Sequence, residues 1–221
     1  MPTRIYTKTL NHLEAAALQE WAEVPVTIIS DITNGRIIVD PRIRPLRPFP
    51  LGRRMVGRAI TAWCERADFG PALHAIDIAE AGDVVVIDAG GSVETAYVGE
   101  LLSGFARQKK ISGLVVNGAV RDIDTLASWD DFPVYCLGNT ARGPLSKERG
   151  SVNGPIVFGG VPTKPGDIVL GDNDGLAIIP VEEAPPLLEA GSKRTRMEEE
   201  WKRQLDSGRT LQDVFSIPET I

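Results

Sequence analysis

The chain has 221 residues, 43% of them hydrophobic, with 24 Lys and Arg against 30 Asp and Glu for a formal net charge of −6. That length and apolar content suit one domain with an appended arm and a sizeable core, while the acidic balance excludes a general nucleic-acid surface, which needs a basic excess. No apolar stretch approaches a membrane span, and the first twenty residues carry Glu14 and Glu20 without an apolar core, so no signal peptide is read and a cytoplasmic protein with no membrane or nucleic-acid partner is expected.

Residues 11–22, NHLEAAALQEWA, read as a helix that Asn11 caps, with Glu14 three residues on as in a capping box. The stretch IRPLRPFPLGRR, with prolines at 45, 48 and 50, reads as an extended connector. MVGRAITAWCE follows as a strand pair or one long strand. PALHAIDIAEAGDVVVIDAGG reads as a helix, a turn at 81–83 and a strand whose continuous apolar run suits burial on both faces. AYVGELLSGFARQKK is expected to be a helix, GLVVNG a strand, DIDTLASW a helix and PVYCLG a strand. This alternation predicts an α/β middle third with parallel strands. Beyond residue 140, NGPIVFGGVPTKPGDIVLGDNDGLAIIP breaks into short strands with Gly, Pro and Asp turns, the pattern of antiparallel structure. Pro185 to about Leu205 reads as a charged helix weakened at Gly191, with Met197, Trp201 and Leu205 in one stripe; at about 100° per residue, Glu198 lies at the edge of that stripe and Glu199 nearly opposite it. The whole chain is expected to form a single domain, 1–221, including a C-terminal helical arm at about 185–221.

Several common catalytic devices are missing. There is no P-loop, no G-x-G-x-x-G and no G-x-S-x-G elbow. His12 and His74 lack metal-ligand spacing, so a zinc site is not expected, and Cys64 and Cys136 read as free buried thiols. Oxygen chemistry is left. In LVVNGAVRDIDTL (114–126) an apolar strand ends and Arg121 and Asp122 stand side by side before a helix, at the end of an α/β strand where ligands commonly sit. A lone carboxylate with waters suits Mg²⁺ or Mn²⁺, and a guanidinium suits a carboxylate; the simpler alternative is Asp122 as the N-cap of its own helix. A second stretch leads to the same end of the sheet: Gly90 and Gly91 allow a tight turn, and Gly99, Glu100, Leu101 and Leu102 open a helix whose first amides are unpaired. Leu101 and Leu102 have no polar side chain, so any binding by them is through main-chain N–H groups.

The order GDVVVIDAGG, A-x-x-GELL, GAVRD, PGDIVLGDNDG resembles the family of the regulator of ribonuclease activity A and its enzyme branch, over roughly residues 25–215, most specifically in Gly118, Arg121 and Asp122. That branch holds 4-hydroxy-4-methyl-2-oxoglutarate and 4-carboxy-4-hydroxy-2-oxoadipate aldolases that also decarboxylate oxaloacetate. The resemblance implies an α/β fold, a layered α/β/β/α sandwich of the swivelling-domain kind, assembled as a homotrimer or a dimer of trimers. It implies a class II lyase that uses Mg²⁺ or Mn²⁺ to cleave a small 4-hydroxy-2-oxo acid to pyruvate. On that pattern Asp122 reaches the metal, Arg121 binds the oxo acid, Glu100 is the acid near the metal waters, and the amides of Leu101 and Leu102 behind Gly99 hold the pyruvyl carboxylate. Glu198 of a neighbouring subunit, with Glu199 as its competitor, completes the outer shell of the metal. Many such aldolases have Asp where this chain has the longer Glu100. The regulatory members lose the Asp of the R-D pair; this chain keeps it, which favours the enzyme over a docking regulator of an RNA-processing enzyme or another metal-dependent lyase or hydrolase of oxo acids.

Overall fold

The computed structural model describes residues 2–7, 15–50 and 52–218; Asn11 and Glu14 of the expected capping box, and His12, lie outside them. In chain order the elements are β1 (Arg4–Ile5), α1 (Ala15–Trp21), α2 (Val26–Thr33), β2 (Arg44–Pro45), β3 (Met55–Cys64), α3 (Gly70–Ile78), β4 (Asp83–Asp88) and β5 (Ala96–Val98). They continue with α4 (Glu100–Gln108), β6 (Gly113–Val120), α5 (Ile123–Ser128), β7 (Val134–Asn139), β8 (Gly150–Val152), β9 (Ile156–Phe158) and β10 (Val161–Thr163). The last are β11 (Ile168–Gly171), β12 (Leu176–Ile179), α6 (Ala184–Asp206) and α7 (Leu211–Phe215).

The middle third is parallel, as its alternation predicts: β3 pairs β4, β4 pairs β6 and β6 pairs β7, all in the same direction. Residues of one strand point alternately to the two faces. On β4, Val85 and Ile87 face the layer of α3, α4 and α5, meeting Ala75, Ile76, Ala106 and Leu126. Val84 and Val86 face the other way, onto Phe158, Val161, Val169 and Ile178 of the antiparallel strands β9 to β12. The far side of β11 and β12, with Ile168, Leu170, Ala177 and Ile179, is covered by Trp21 of α1, Ile28 and Ile29 of α2 and Ala184 of α6. Three apolar seams thus separate four layers in the order α/β/β/α, the expected sandwich. Strand β3 links the two sheet layers: its first half, Met55–Arg58, pairs antiparallel with β11, and Arg58–Trp63 pairs parallel with β4.

Four local expectations are corrected. Residues 96–98 are strand rather than helix, because Ala96 and Val98 pair with β6, and the helix starts only after Gly99. The proline connector contributes a short edge strand at Arg44–Pro45 against β7, where a residue without an N–H is tolerated. Helix α2, absent from the sequence reading, is fixed by burial of Val26, Ile28 and Ile29. Gly191 is not a weak point: it is buried, and a Cβ there would lie 3.0 Å from Val24 Cγ1, so the glycine lets α6 pack closely on that layer. The Met197–Trp201–Leu205 stripe finds α7 folded back on α6, with Trp201 and Phe215 rings edge to face at 5.1 Å. No helix among the described residues is long and apolar enough to cross a membrane.

Candidate active site

Strand β6 ends at Val120 against β5, where the Arg121 N–H donates to Val98 O at 3.1 Å. The next residue, Asp122, adopts a left-handed backbone with φ 59° and ψ 45°, a conformation Asp reaches more readily than most residues. It does not cap its own helix by its side chain. Instead the turn carries the carboxylate across to the start of α4, where Oδ2 accepts the Glu100 N–H at 2.9 Å. The N-cap alternative is therefore corrected to a cap of a different helix. A carboxylate at a helix N-terminus is stabilised by the unpaired amides and the aligned peptide dipoles.

This bond fixes which amides remain. The Glu100 N–H is taken by Asp122 and the Ser103 N–H by Gly99 O. The N–H groups of Leu101 and Leu102 have no acceptor among the described residues. They open toward a cavity of about 390 Å³ lined by Tyr97, Leu101, Leu102, Arg121, Asp122 and Pro144. Arg121 Nε lies 3.7 Å from Asp122 Oδ2, and both side chains are near 40% exposed, so neighbours on the chain here do form a loose ion pair. Oδ1 of Asp122 carries no hydrogen bond among the described residues.

The close approach depends on two glycines. Gly99 is extended at φ −153°, so its backbone suits any residue. Its need is space: a Cβ there would overlap Asp122 Oδ2 and lie 2.8 Å from Arg121 Cγ. A Cβ on Gly143 would lie 2.9 Å from Arg121 Nη1. Gly143, Tyr97 and Pro144 were not singled out from the sequence; the signal was the T-A-R-G-P turn after β7, which binds β5 through the Ala96 N–H donating to Arg142 O at 2.9 Å. Asp88 ends β4 at the same end of the sheet. Burial pushes its carboxyl above the usual range, opposed by hydrogen bonds from the Asn117 side chain and the Gly90 N–H.

Arg121, Asp122, Gly99, Leu101 and Leu102 converge; the acidic side chains expected beside them do not. Glu100 joins through its amide, while its side chain lines a neighbouring concavity along α4 with Leu101, Phe105 and Trp129. Glu198 Oε1 accepts from Arg194 Nε at 2.9 Å, and Arg194 also reaches Asp31 and stacks on Trp201. Helix α6 packs on α2 and α7, in the outer layer opposite α4, so within one chain neither Glu198 nor Glu199 meets Asp122. Among the described residues no three His, Cys, Asp or Glu side chains gather as a metal cage. The donor set at Asp122 is one carboxylate with a free oxygen facing a cavity, which fits a hard divalent cation that keeps several waters and does not fit a dry cage.

A family model described as RraA-like, Aldolase/RraA, matches residues 26–178. A protein of Halalkalibacterium halodurans that bears the provisional name 4-hydroxy-4-methyl-2-oxoglutarate aldolase is 33% identical, over 89% of this chain and 91% of its own. The structure of the RNA-processing inhibitor RraA from Thermus thermophilis superposes with a TM-score of 0.63 at 29% identity, over 72% of this chain and 93% of that one. An uncharacterised protein from Pseudomonas syringae pv. tomato shares the fold with a TM-score of 0.82 at 24% identity, over 96% of this chain and 97% of its own.

Proposed function

The chain belongs to the RraA-like, Aldolase/RraA family, and from that premise we propose that it is a divalent-metal-dependent lyase. Its substrate is a small 4-hydroxy-2-oxo acid, cleaved to pyruvate and a second oxo acid, and it also decarboxylates oxaloacetate. One observation carries the reading. The Asp122 carboxylate is held by the first amide of α4 while the next two amides, at Leu101 and Leu102, stay unpaired beside Arg121 in one cavity.

In this reading Asp122 would hold Mg²⁺ or Mn²⁺, directly or through water, and Glu198 of a neighbouring subunit, or Glu199, would complete the outer shell. Bound there, the cation supplies Lewis-acid polarisation of the 2-oxo group. The chain's own groups do the rest. The Leu101 and Leu102 N–H groups bind the pyruvyl carboxylate, aided by the positive end of α4. The Arg121 guanidinium faces the oxygen on which charge grows as the C3–C4 bond breaks, so it binds the enolate more tightly than the ketone, the condition for accelerating the step. The C4 hydroxyl gives its proton to water as the C4 carbonyl forms, and the enolate of pyruvate collects a proton at C3 from water. Loss of CO₂ from oxaloacetate passes through the same enolate, so one set of contacts serves both reactions. Glu100, whose exposed side chain lies along α4 beside the site, is the nearest acid for proton traffic through solvent. The neighbour's contribution makes a trimer or a dimer of trimers the working form.

The test is pyruvate release from oxaloacetate and from 4-hydroxy-4-methyl-2-oxoglutarate, with Mg²⁺ and with EDTA, for the wild type and Asp122→Ala. Metal-dependent pyruvate that vanishes in the variant supports the lyase. No pyruvate from either substrate under any metal sinks it and moves the assignment first to a lyase of another oxo acid and then to a regulator of RNA processing; the Thermus relative is named an RNA-processing inhibitor.

A further inference from the structure

We propose a second ligand site for a small amphipathic anion, a carboxylate, phosphate or sulfonate group on a flat apolar body, at the opposite end of the sheet from Asp122. A cavity of about 540 Å³ opens where the parallel strands begin, lined at its sheet edge by Met55, Gly82, Ser112 and Pro133. That is a common size for a small-molecule pocket. Strand β6 starts at this cavity and ends, eight residues on, at Arg121.

The cations at this cavity are poorly neutralised. Arg53 Nη1 donates to the main-chain Asp130 O at 3.0 Å, and Arg54 Nη1 to the main-chain Ala22 O at 2.6 Å. A carbonyl satisfies a donor without cancelling its charge. Arg54 Nε is buried with no hydrogen-bond acceptor, and it forms only a loose ion pair with Asp172 Oδ2 at 3.8 Å. A buried donor left unpaired is uncommon and calls for a partner. Lys110 also lines the cavity, and its amine has no partner among the described residues. It sits at φ 60° just after α4, a position where glycine is the unstrained choice.

Two carboxylates line the same cavity. Asp131 is occupied by a two-point pair with Arg107, at 3.0 and 2.8 Å, and Asp130 stands at the rim. With Asp172 set against Arg54 and Asp130 as the one other carboxylate, Arg53, Arg54 and Lys110 leave a positive excess at the cavity. Apart from Gln19, the remaining walls are apolar, with Phe49, Ile111 and Phe132. Guanidinium groups favour planar or tetrahedral oxyanions and the rings favour a flat apolar body, which together define the ligand class.

The probe is 8-anilinonaphthalene-1-sulfonate, titrated by fluorescence into the full chain. The site predicts saturable binding at one dye per chain, weakened about tenfold or more by Arg53→Glu and by Lys110→Glu, with unchanged affinity in Arg121→Ala and in Phe215→Ser on the exposed C-terminal arm. Both reversed side chains are exposed, and thermal melting checks that each variant stays folded; Arg53→Met supplies a milder second step in the same direction. Absence of saturable binding, binding indifferent to both reversals, or binding lost instead in Arg121→Ala or Phe215→Ser overturns the proposal. The dye assay needs no turnover, so its result stands apart from the fate of the lyase reading.

Discussion

Replacing Gly99 by Ala isolates the close approach on which the proposed chemistry depends. The glycine is extended, at φ −153°, so alanine meets no backbone strain there. The added methyl falls about 1 Å inside ordinary contact of roughly 3.4 Å with Asp122 Oδ2, and it also crowds Arg121 Cγ at 2.8 Å. Both side chains must move together, by something near 1 Å, away from the amides of α4. A misplacement of that size lowers turnover by about 10²-fold, or about 2.7 kcal/mol of transition-state stabilisation. Stability changes far less, because the bond lost from the Glu100 N–H is partly solvent-exposed; about 1 kcal/mol is expected. The assay is kcat/KM for oxaloacetate decarboxylation beside a thermal melt. Gly104→Ala on the same helix is the control: its Cβ would meet only Trp129 Cη2 at an ordinary 3.6 Å, so it should keep activity and gain about 0.5–1 kcal/mol. Wild-type kcat/KM in Gly99→Ala, alongside an inactive Asp122→Ala, would refute the argument that the reaction needs this packing.

Leu101→Pro removes an N–H from the first turn of α4, where no intrahelical bond is lost; KM for oxaloacetate should rise about tenfold, the scale of one hydrogen bond to a charged group, with the fold kept by circular dichroism. Asp68, fully buried, is a pH-dependent anchor: burial works to raise its pKa, but hydrogen bonds from Ser146 and the Gly70, Glu148 and Arg149 amides outweigh it and hold the carboxyl below its ordinary value. The stability it contributes is present above the unfolded pKa near 3.9 and lost as pH falls through the lower folded one. Urea unfolding should accordingly show Asp68→Asn weaker than wild type by about 2–3 kcal/mol at pH 7, with the gap closing in strong acid. Burial raises both thiols, Cys136 to about 11 and Cys64 further; at pH 7 a thiol reagent should label neither in the native chain and both after denaturation, and fast native labelling would contradict the packing of either cysteine.

Much of the fold was legible in the chain itself. The apolar runs at 84–87 and 114–116 read as strands, the first suited to burial on both faces, and the alternation of strand and helix pointed to parallel pairing. The R-D pair after GLVVNG marked the end of the sheet, and Gly99 with its leucines marked the helix start facing it, because strand ends and helix starts leave characteristic local signals. What Asp122 binds was not local. From sequence it competed as a cap for the helix that follows it; only the fold brings α4, 22 residues earlier, within 2.9 Å of its carboxylate and so leaves the Leu101 and Leu102 amides free. The roles of Gly143 and Gly191 were equally invisible, since each is set by the room a distant neighbour needs, Arg121 in one case and Val24 in the other. A sequence records periodicity and capping within a few residues; which side chain meets which amide across layers is decided by packing, where a single methyl group is enough to shut a contact out.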